Sequence, residues 1–165
     1  MTRFLQLVYR CAGHGKTACG LARACHAVVA AETLRRQVAV TVDDLPTVAV
    51  AGCGESGHLA LSGGLLDALI SRDIPAIGLV NGAKLYDGDR LLVDRAELLR
   101  RWLVAGLELG NHTYSHADWH RVSLKEFQSD VLRGEKVTRA LLAEFGRQPR
   151  HFRHPFLHTG RSLDV

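Results

Sequence analysis

No stretch of this chain approaches the roughly 18 consecutive apolar residues that a membrane-spanning helix needs, so the sequence offers no helical span. Cysteine is sparse, at four residues (Cys11, Cys19, Cys25, Cys53) with no C-x-x-C pair. A disulfide framework is therefore not expected in a domain of this size. A zinc knuckle from Cys11, His14, Cys19 and Cys25 fails because its spacing matches no structural-zinc pattern. There is also no charge excess in the body of the chain. The formal charge is +4, but residues 1–37 alone carry +5, and the remainder carries −1. A basic footprint for nucleic acid is missing from everything beyond residue 37. Repeats and low-complexity tracts are absent too. What remains is a chain of 165 residues, 47% hydrophobic and 23% charged, which suits one globular domain with a buried core.

The first 37 residues read differently from the rest. Basic residues followed by the apolar stretch 27–31 resemble an export signal with cleavage near Ala31, although Arg23 and His26 interrupt the apolar core. The expectation over 1–37 is a leader, a degraded signal-like segment or a disordered extension. It implies export if it acts as a signal and a cytoplasmic protein otherwise. Gly13-His-Gly-Lys-Thr17 fails as a phosphate loop, because Arg10 stands where the motif needs its first glycine.

From residue 38 strand and helix patterns alternate. Val38-Ala-Val-Thr-Val42 is a β-branched run suited to a buried parallel strand. An apolar helix is predicted from about 59 to 72, and a strand over 76–80. Asp94 and Glu97 have capping-box spacing before a helix whose inward stripe is Leu98, Leu99, Trp102 and Leu103, with Gly106 as its stop. A third strand is predicted over 107–110. The longest helix opens at Ser123 and Glu126, carries Phe127, Val131, Leu141 and Phe145, and closes at Gly146 and Pro149. A fourth strand is predicted at 151–153. This β-α-β-α-β-α-β order argues for a parallel sheet or barrel.

Three segments then fall just past the C-terminal ends of predicted strands, the edge where chemistry collects in parallel α/β folds. Thr41-Val-Asp-Asp-Leu-Pro46 offers two adjacent carboxylates. Asn111-His-Thr-Tyr-Ser-His116 offers two imidazoles four residues apart, sharing a face if helical or meeting across a tight loop. Phe152-Arg-His-Pro-Phe156 offers an arginine beside a proline. One carboxylate and two imidazoles, Asp44, His112 and His116, are a ligand set for a catalytic divalent metal with room for water. Asp43 is then free for general-base work, and Arg153 is expected to hold it through a bidentate ion pair. Taken singly, the histidines read as structural and the aspartates as turn caps; only the joint pattern is specific. His120, His151, His154 and His158 read as solvent-facing or supporting residues and are assigned no ligand role, while His58, in the glycine-rich loop, is a minor candidate for bordering the substrate groove. Trp102 and Trp119 read as packing residues, although Trp119 lies near enough to His116 to leave a sugar platform open.

Asp43-Asp44, His112-x-x-x-His116 and Arg153-x-Pro155-Phe156, in this order on βα units, resemble the first three motifs of the polysaccharide deacetylases, the NodB-homology carbohydrate esterases. The resemblance covers about residues 38–165, expected as a partial deacetylase domain. It implies an α/β fold, a distorted (β/α)7-type barrel of which the first half to two-thirds is present. It also implies a hydrolase that removes acetyl groups from N- or O-acetylated oligo- or polysaccharides. Carried over by position, Asp43 is the base, Asp44, His112 and His116 hold zinc or cobalt, and Arg153 orients Asp43. Pro155 and Phe156 would line the acetyl pocket, with a backbone N–H available to the oxyanion.

Leu45 stands where the family usually has glycine, and Phe156 where tyrosine is commoner. The family's later Asp-Trp and Leu-x-His motifs, the second supplying the general acid, are not found in these 165 residues. Exposed strand edges are the expected consequence, and a catalytically inactive metal- or glycan-binding relic is the alternative reading. An amidohydrolase fits less well, since that family opens with His-x-His where this chain has Asp-Asp.

Overall fold

The computed structural model describes residues 8–9, 38–47, 52 and 54–160. The expectations of a signal-like leader with cleavage near Ala31, of residues 13–17 and of the four cysteines lie outside the described residues, Val8 and Tyr9 apart. Contacts divide the chain into two units. In the unit Leu7–Ala39, strand β1 (Val8–Tyr9) pairs antiparallel with Val38 and Ala39.

The unit that runs from Val40 to the C-terminus holds a parallel sheet. Strand β2 (Val38–Leu45) lies beside β3 (Ala76–Val80), with Val40 opposite Ala76 and Val42 opposite Gly78. Strand β6 (Glu108–Asn111) pairs with the other side of β3, from Ile77–Glu108 to Val80–Asn111. The β2–β3 register shifts between Val42 and Leu45. Asp43 and Asp44 occupy this irregularity, and Asp44 has φ 68°. An extra residue in a strand bends it and re-aims its side chains, so the ladder is broken at the carboxylate pair.

Helix α1 (Glu55–Ile70) starts and stops earlier than the apolar pattern implied. Gly54 is its N-cap, and the Ser71–Asp73 turn ends it, with Asp73 at φ 51°. A short hairpin, β4 (Tyr86–Asp87) with β5 (Arg90–Leu91), was not foreseen. Helix α2 (Val93–Val104) buries Leu98, Leu99, Trp102 and Leu103 as predicted. Its capping box is absent: Leu92 is the N-cap and makes no side-chain cap bond. Asp94 instead lies inside the first turn, where a carboxylate complements the helix dipole, and Glu97 pairs with Arg100 at 3.6 Å. Helix α3 (Leu124–Ala143) opens at Ser123 as predicted and carries a capping box there, with Ser123 and Glu126 satisfying each other's backbone N–H.

The core gathers Val42, Leu45, Leu66, Val80, Leu99, Trp102, Leu109 and Leu142 between sheet and helices. Trp102 is fully buried, and its indole N–H donates to the carbonyl of Glu108 at 2.8 Å. A Cβ on Gly78 of β3 would lie 2.3 Å from Leu45 Cδ1 and 3.1 Å from Trp102, so the central strand is bare where those side chains cross it. The predicted fourth strand is reduced to one parallel bridge between Asn111 and Phe152. Pro149 and Pro155 flank it, and prolines, lacking an N–H, cut a ladder short. Among the described residues no helix is long and apolar enough to cross a membrane.

Candidate metal centre

The three predicted segments converge at the C-terminal ends of β2, β6 and the Phe152 bridge. His112 follows β6 directly and is buried. Its N–H donates to the carbonyl of Val80 at 2.9 Å, while its carbonyl accepts from Asn81 Nδ2 at 2.8 Å. Its ring nitrogen Nδ1 lies 2.9 Å from the carbonyl oxygen of Arg153. A carbonyl only accepts, so Nδ1 carries the proton and Nε2 keeps a lone pair for a metal. Burial pushes the His112 imidazole below its ordinary pKa, which favours this neutral form; the Arg153 carbonyl opposes the shift.

Residues 112–116 form a loop rather than a helix, which settles the alternative left open by the spacing. Thr113 and His116 both take positive φ, 66° and 61°. Such backbone is costly for residues with a Cβ and persists only where the surroundings enforce it. Here Asp130 of α3 enforces it, accepting from the backbone N–H groups of Tyr114 and Ser115 and from the Ser115 hydroxyl. Asn111 accepts the Thr113 N–H through Oδ1 at 2.8 Å and donates through Nδ2 to the Val131 carbonyl. The loop can lie this close to α3 because Gly134 has no side chain: a Cβ there would sit 2.5 Å from Asn111 Oδ1 and 2.6 Å from the Thr113 carbonyl carbon.

Asp44, His112 and His116 each present a ligand atom, and these atoms all lie within 4.8 Å of one another. Asp44 Oδ1 is 3.5 Å from His116 Nε2, and the two imidazole rings are 5.0 Å apart. Ligands about 2.0–2.1 Å from a tetrahedral zinc sit about 3.3 Å from each other, so the trio needs only small adjustment. Two imidazoles and one carboxylate also form a suitable donor set for a borderline divalent ion. Thus the residues fit the metal that the motif implies.

Asp43 points to a different partner. Arg153 Nη1 donates to Asp43 Oδ1 at 2.7 Å and to Thr41 Oγ1 at 2.9 Å. The pair runs through this one nitrogen, shared with the threonine hydroxyl, rather than through the two parallel bonds expected. Pro155 is buried, and Phe156 is half exposed at φ 57°, its ring edge-on to His116 with centroids 4.6 Å apart. Trp119 stacks on Phe127 at 5.1 Å and on His154 at 5.3 Å, the packing role its sequence context suggested.

Lys84 was missed. It follows β3 on the same rim, and that position was the available signal. Its ammonium lies 3.6 Å from Asp44 Oδ1 and donates to the carbonyls of Asp44 at 2.9 Å and Thr47 at 3.1 Å. Burial lowers its pKa against the raising influence of Asp44.

A parallel α/β sheet with carboxylates and imidazoles on its C-terminal rim defines a class, the parallel α/β folds that gather polar side chains at that edge. Comparison with known proteins narrows it. A family model described as polysaccharide deacetylase matches residues 30–163, and the chain belongs to that family. A chitooligosaccharide deacetylase of Bradyrhizobium sp. (strain ANU 289) is 30% identical over 92 residues, 56% of this chain and 38% of the relative. The chitin deacetylase of the fungal pathogen Colletotrichum lindemuthianum superposes with TM-score 0.52 at 27% identity, over 71% of this chain and 44% of that one. A family 4 carbohydrate esterase from Streptomyces lividans, in complex with acetate, shares the fold at 23% identity with TM-score 0.50, over 73% of this chain and 51% of that one. The chain thus spans less than two-fifths of the length of that curated relative. Its parallel sheet accordingly corresponds to part of a (β/α)7 barrel.

Proposed function

We propose that this domain carries the metal-binding and general-base half of a hydrolase that releases acetate from N-acetylated carbohydrate, chito-oligosaccharides being the favoured class. The observation that carries the reading is the separation of the two adjacent carboxylates. Asp44 sits with His112 and His116, while Asp43 is held 2.7 Å from Arg153. One carboxylate is thereby available to a cation and its neighbour to a proton.

Asp44, His112 and His116 would hold the ion, zinc in the first instance and cobalt as a substitute. When bound, it supplies Lewis acidity toward water and toward a carbonyl oxygen at neutral pH. Asp43 accepts the proton of the attacking water through the carboxylate oxygen that Arg153 leaves open, which is general-base work. Arg153 fixes the carboxylate's direction; the same residue's carbonyl fixes the His112 ring. Pro155 and Phe156 shape the wall on which the acetyl methyl rests, and the aromatic edge beside His116 excludes water from that side. The names of the curated relatives support an N-acetylated sugar over an ester substrate.

The test is acetate release from an acetylated chito-oligomer by the purified chain with added zinc or cobalt, beside Asp43→Asn. Release by the parent that falls at least about 10²-fold in the variant supports the reading. Stoichiometric metal without acetate favours the second reading, a metal- or glycan-binding piece without turnover, which the partial coverage of the relatives motivates.

A further inference from the structure

Beyond the rim trio, a second group of metal-capable side chains converges: Asp118, His120 and His158, whose ligand atoms also lie within 4.8 Å of one another. Read singly, both histidines had been assigned no ligand role. The fold brings His158 back over the loop that follows His116. The imidazoles of His120 and His158 lie face to face, centroids 3.8 Å apart and planes within 6°. His158 Nδ1 is 2.6 Å from Asp118 Oδ1. His120 Nε2 is 3.0 Å from the carbonyl oxygen of Gly160, and its backbone N–H donates to Asp118 Oδ1 at 2.9 Å.

These bonds decide which nitrogens are free. The Gly160 carbonyl only accepts, so His120 Nε2 carries its proton and Nδ1 keeps its lone pair. Asp118 Oδ1 faces both the His120 backbone N–H and His158 Nδ1. An ion shared by Asp118 and His158 would enter at this 2.6 Å contact in place of the proton between them, with Nδ1 as the ligand and Nε2 protonated. The competing cation is Arg121, whose Nε lies 3.3 Å from Asp118 Oδ2; its side chain is 85% exposed and free to swing into solvent.

We propose that Asp118, His120 and His158 form a second site for a first-row divalent ion of the zinc class, separate from the rim trio. The donors are again two nitrogens and one oxygen, a set that favours zinc, nickel or copper over magnesium or calcium. The site ties the loop carrying Asp118 and His120 to the segment 155–160. It does so next to Phe156, whose ring lies 5.7 Å from His158 and 4.6 Å from His116. A cation there braces the aromatic wall of the proposed acetyl pocket from behind. It takes no part in the proton transfer assigned to Asp43.

The experiment is a zinc titration of the metal-stripped full chain by calorimetry, with bound metal counted by elemental analysis. Asp44→Asn, His120→Gln and His158→Gln are measured alongside. Two equivalents are expected in the parent and one in each variant, with the Asp44→Asn protein losing its remaining equivalent when His120→Gln is added. Cobalt bound to Asp44→Asn should give visible absorption that His158→Gln reduces at least severalfold. A parent binding one equivalent, lost in Asp44→Asn and retained in both histidine variants, overturns the second site and leaves the first intact. A single equivalent that survives Asp44→Asn and vanishes in the histidine variants supports the second site and removes the metal from the first.

Discussion

The main-chain carbonyl of Arg153 accepts the Nδ1–H of His112 at 2.9 Å, while the same residue's guanidinium holds Asp43 at 2.7 Å. One position thus sets both the tautomer of a proposed ligand and the direction of the proposed base. The two jobs use different atoms, and mutation separates them.

Arg153→Ala retains the carbonyl and loses the guanidinium. Metal affinity is expected to change by less than about tenfold, while acetate release falls by about 10²-fold or more, the scale of general-base catalysis. Calorimetry with zinc and a coupled acetate assay check the two halves. Parallel loss of both would show that the side chain also shapes the His112 site.

Gly134→Ala introduces a Cβ into space occupied by Asn111 and the backbone of residues 113–114. Alanine is ordinarily the better helix former by roughly 0.5–1 kcal/mol. Here the clash wins, and destabilisation of about 1–3 kcal/mol is expected. Urea unfolding measures it, and weaker zinc binding should accompany it because the displaced atoms hold the His112–His116 loop.

Lys84 places a cation 3.6 Å from a proposed ligand oxygen. Lys84→Met should strengthen zinc binding severalfold, as removal of a nearby like charge does. It should also lower the stability of the metal-free protein by about 1–3 kcal/mol through loss of two hydrogen bonds to carbonyls. Opposite signs in the two measurements are the diagnostic result.

The metal-free protein should lose stability as pH falls below 6.5, the ordinary value for His112. Its pKa is depressed in the fold, so the unfolded chain binds the proton more readily. The contribution is fully present above the unfolded value and is lost as pH drops through the folded one. Denaturant midpoints from pH 7.5 to 5 should show this slope, and His112→Asn should flatten it.

Much of the architecture was legible because local patterns and the final fold agree. The β-branched run at 38–42, the apolar block 76–80 and the Ser123–Glu126 box each specify their element without help from distant residues. Asp43, Asp44, His112, His116 and Arg153 were legible as a joint spacing pattern. The Asp94–Glu97 spacing misled, because a chain entering from hairpin β4–β5 starts its helix at Val93 before the box can form. Residues 151–153 were β-like by composition, yet the flanking prolines allow one bridge only. Lys84, Asp130 and the pairing of His120 with His158 were not legible. Each works through a partner between 15 and 40 residues away, and a sequence window carries no record of that closure.

Asp44, Thr113, His116, Phe156 and Leu157 all hold the left-handed backbone that L side chains avoid, at a cost of roughly 1–2 kcal/mol each. Asparagine or glycine would rest more comfortably at every one of them. Selection for robustness alone would therefore drift these positions toward small residues and remove two of the three proposed ligands, Asp44 and His116. A screen that rewards only heat tolerance should recover sturdier descendants with weaker zinc binding, their changes concentrated at the proposed site.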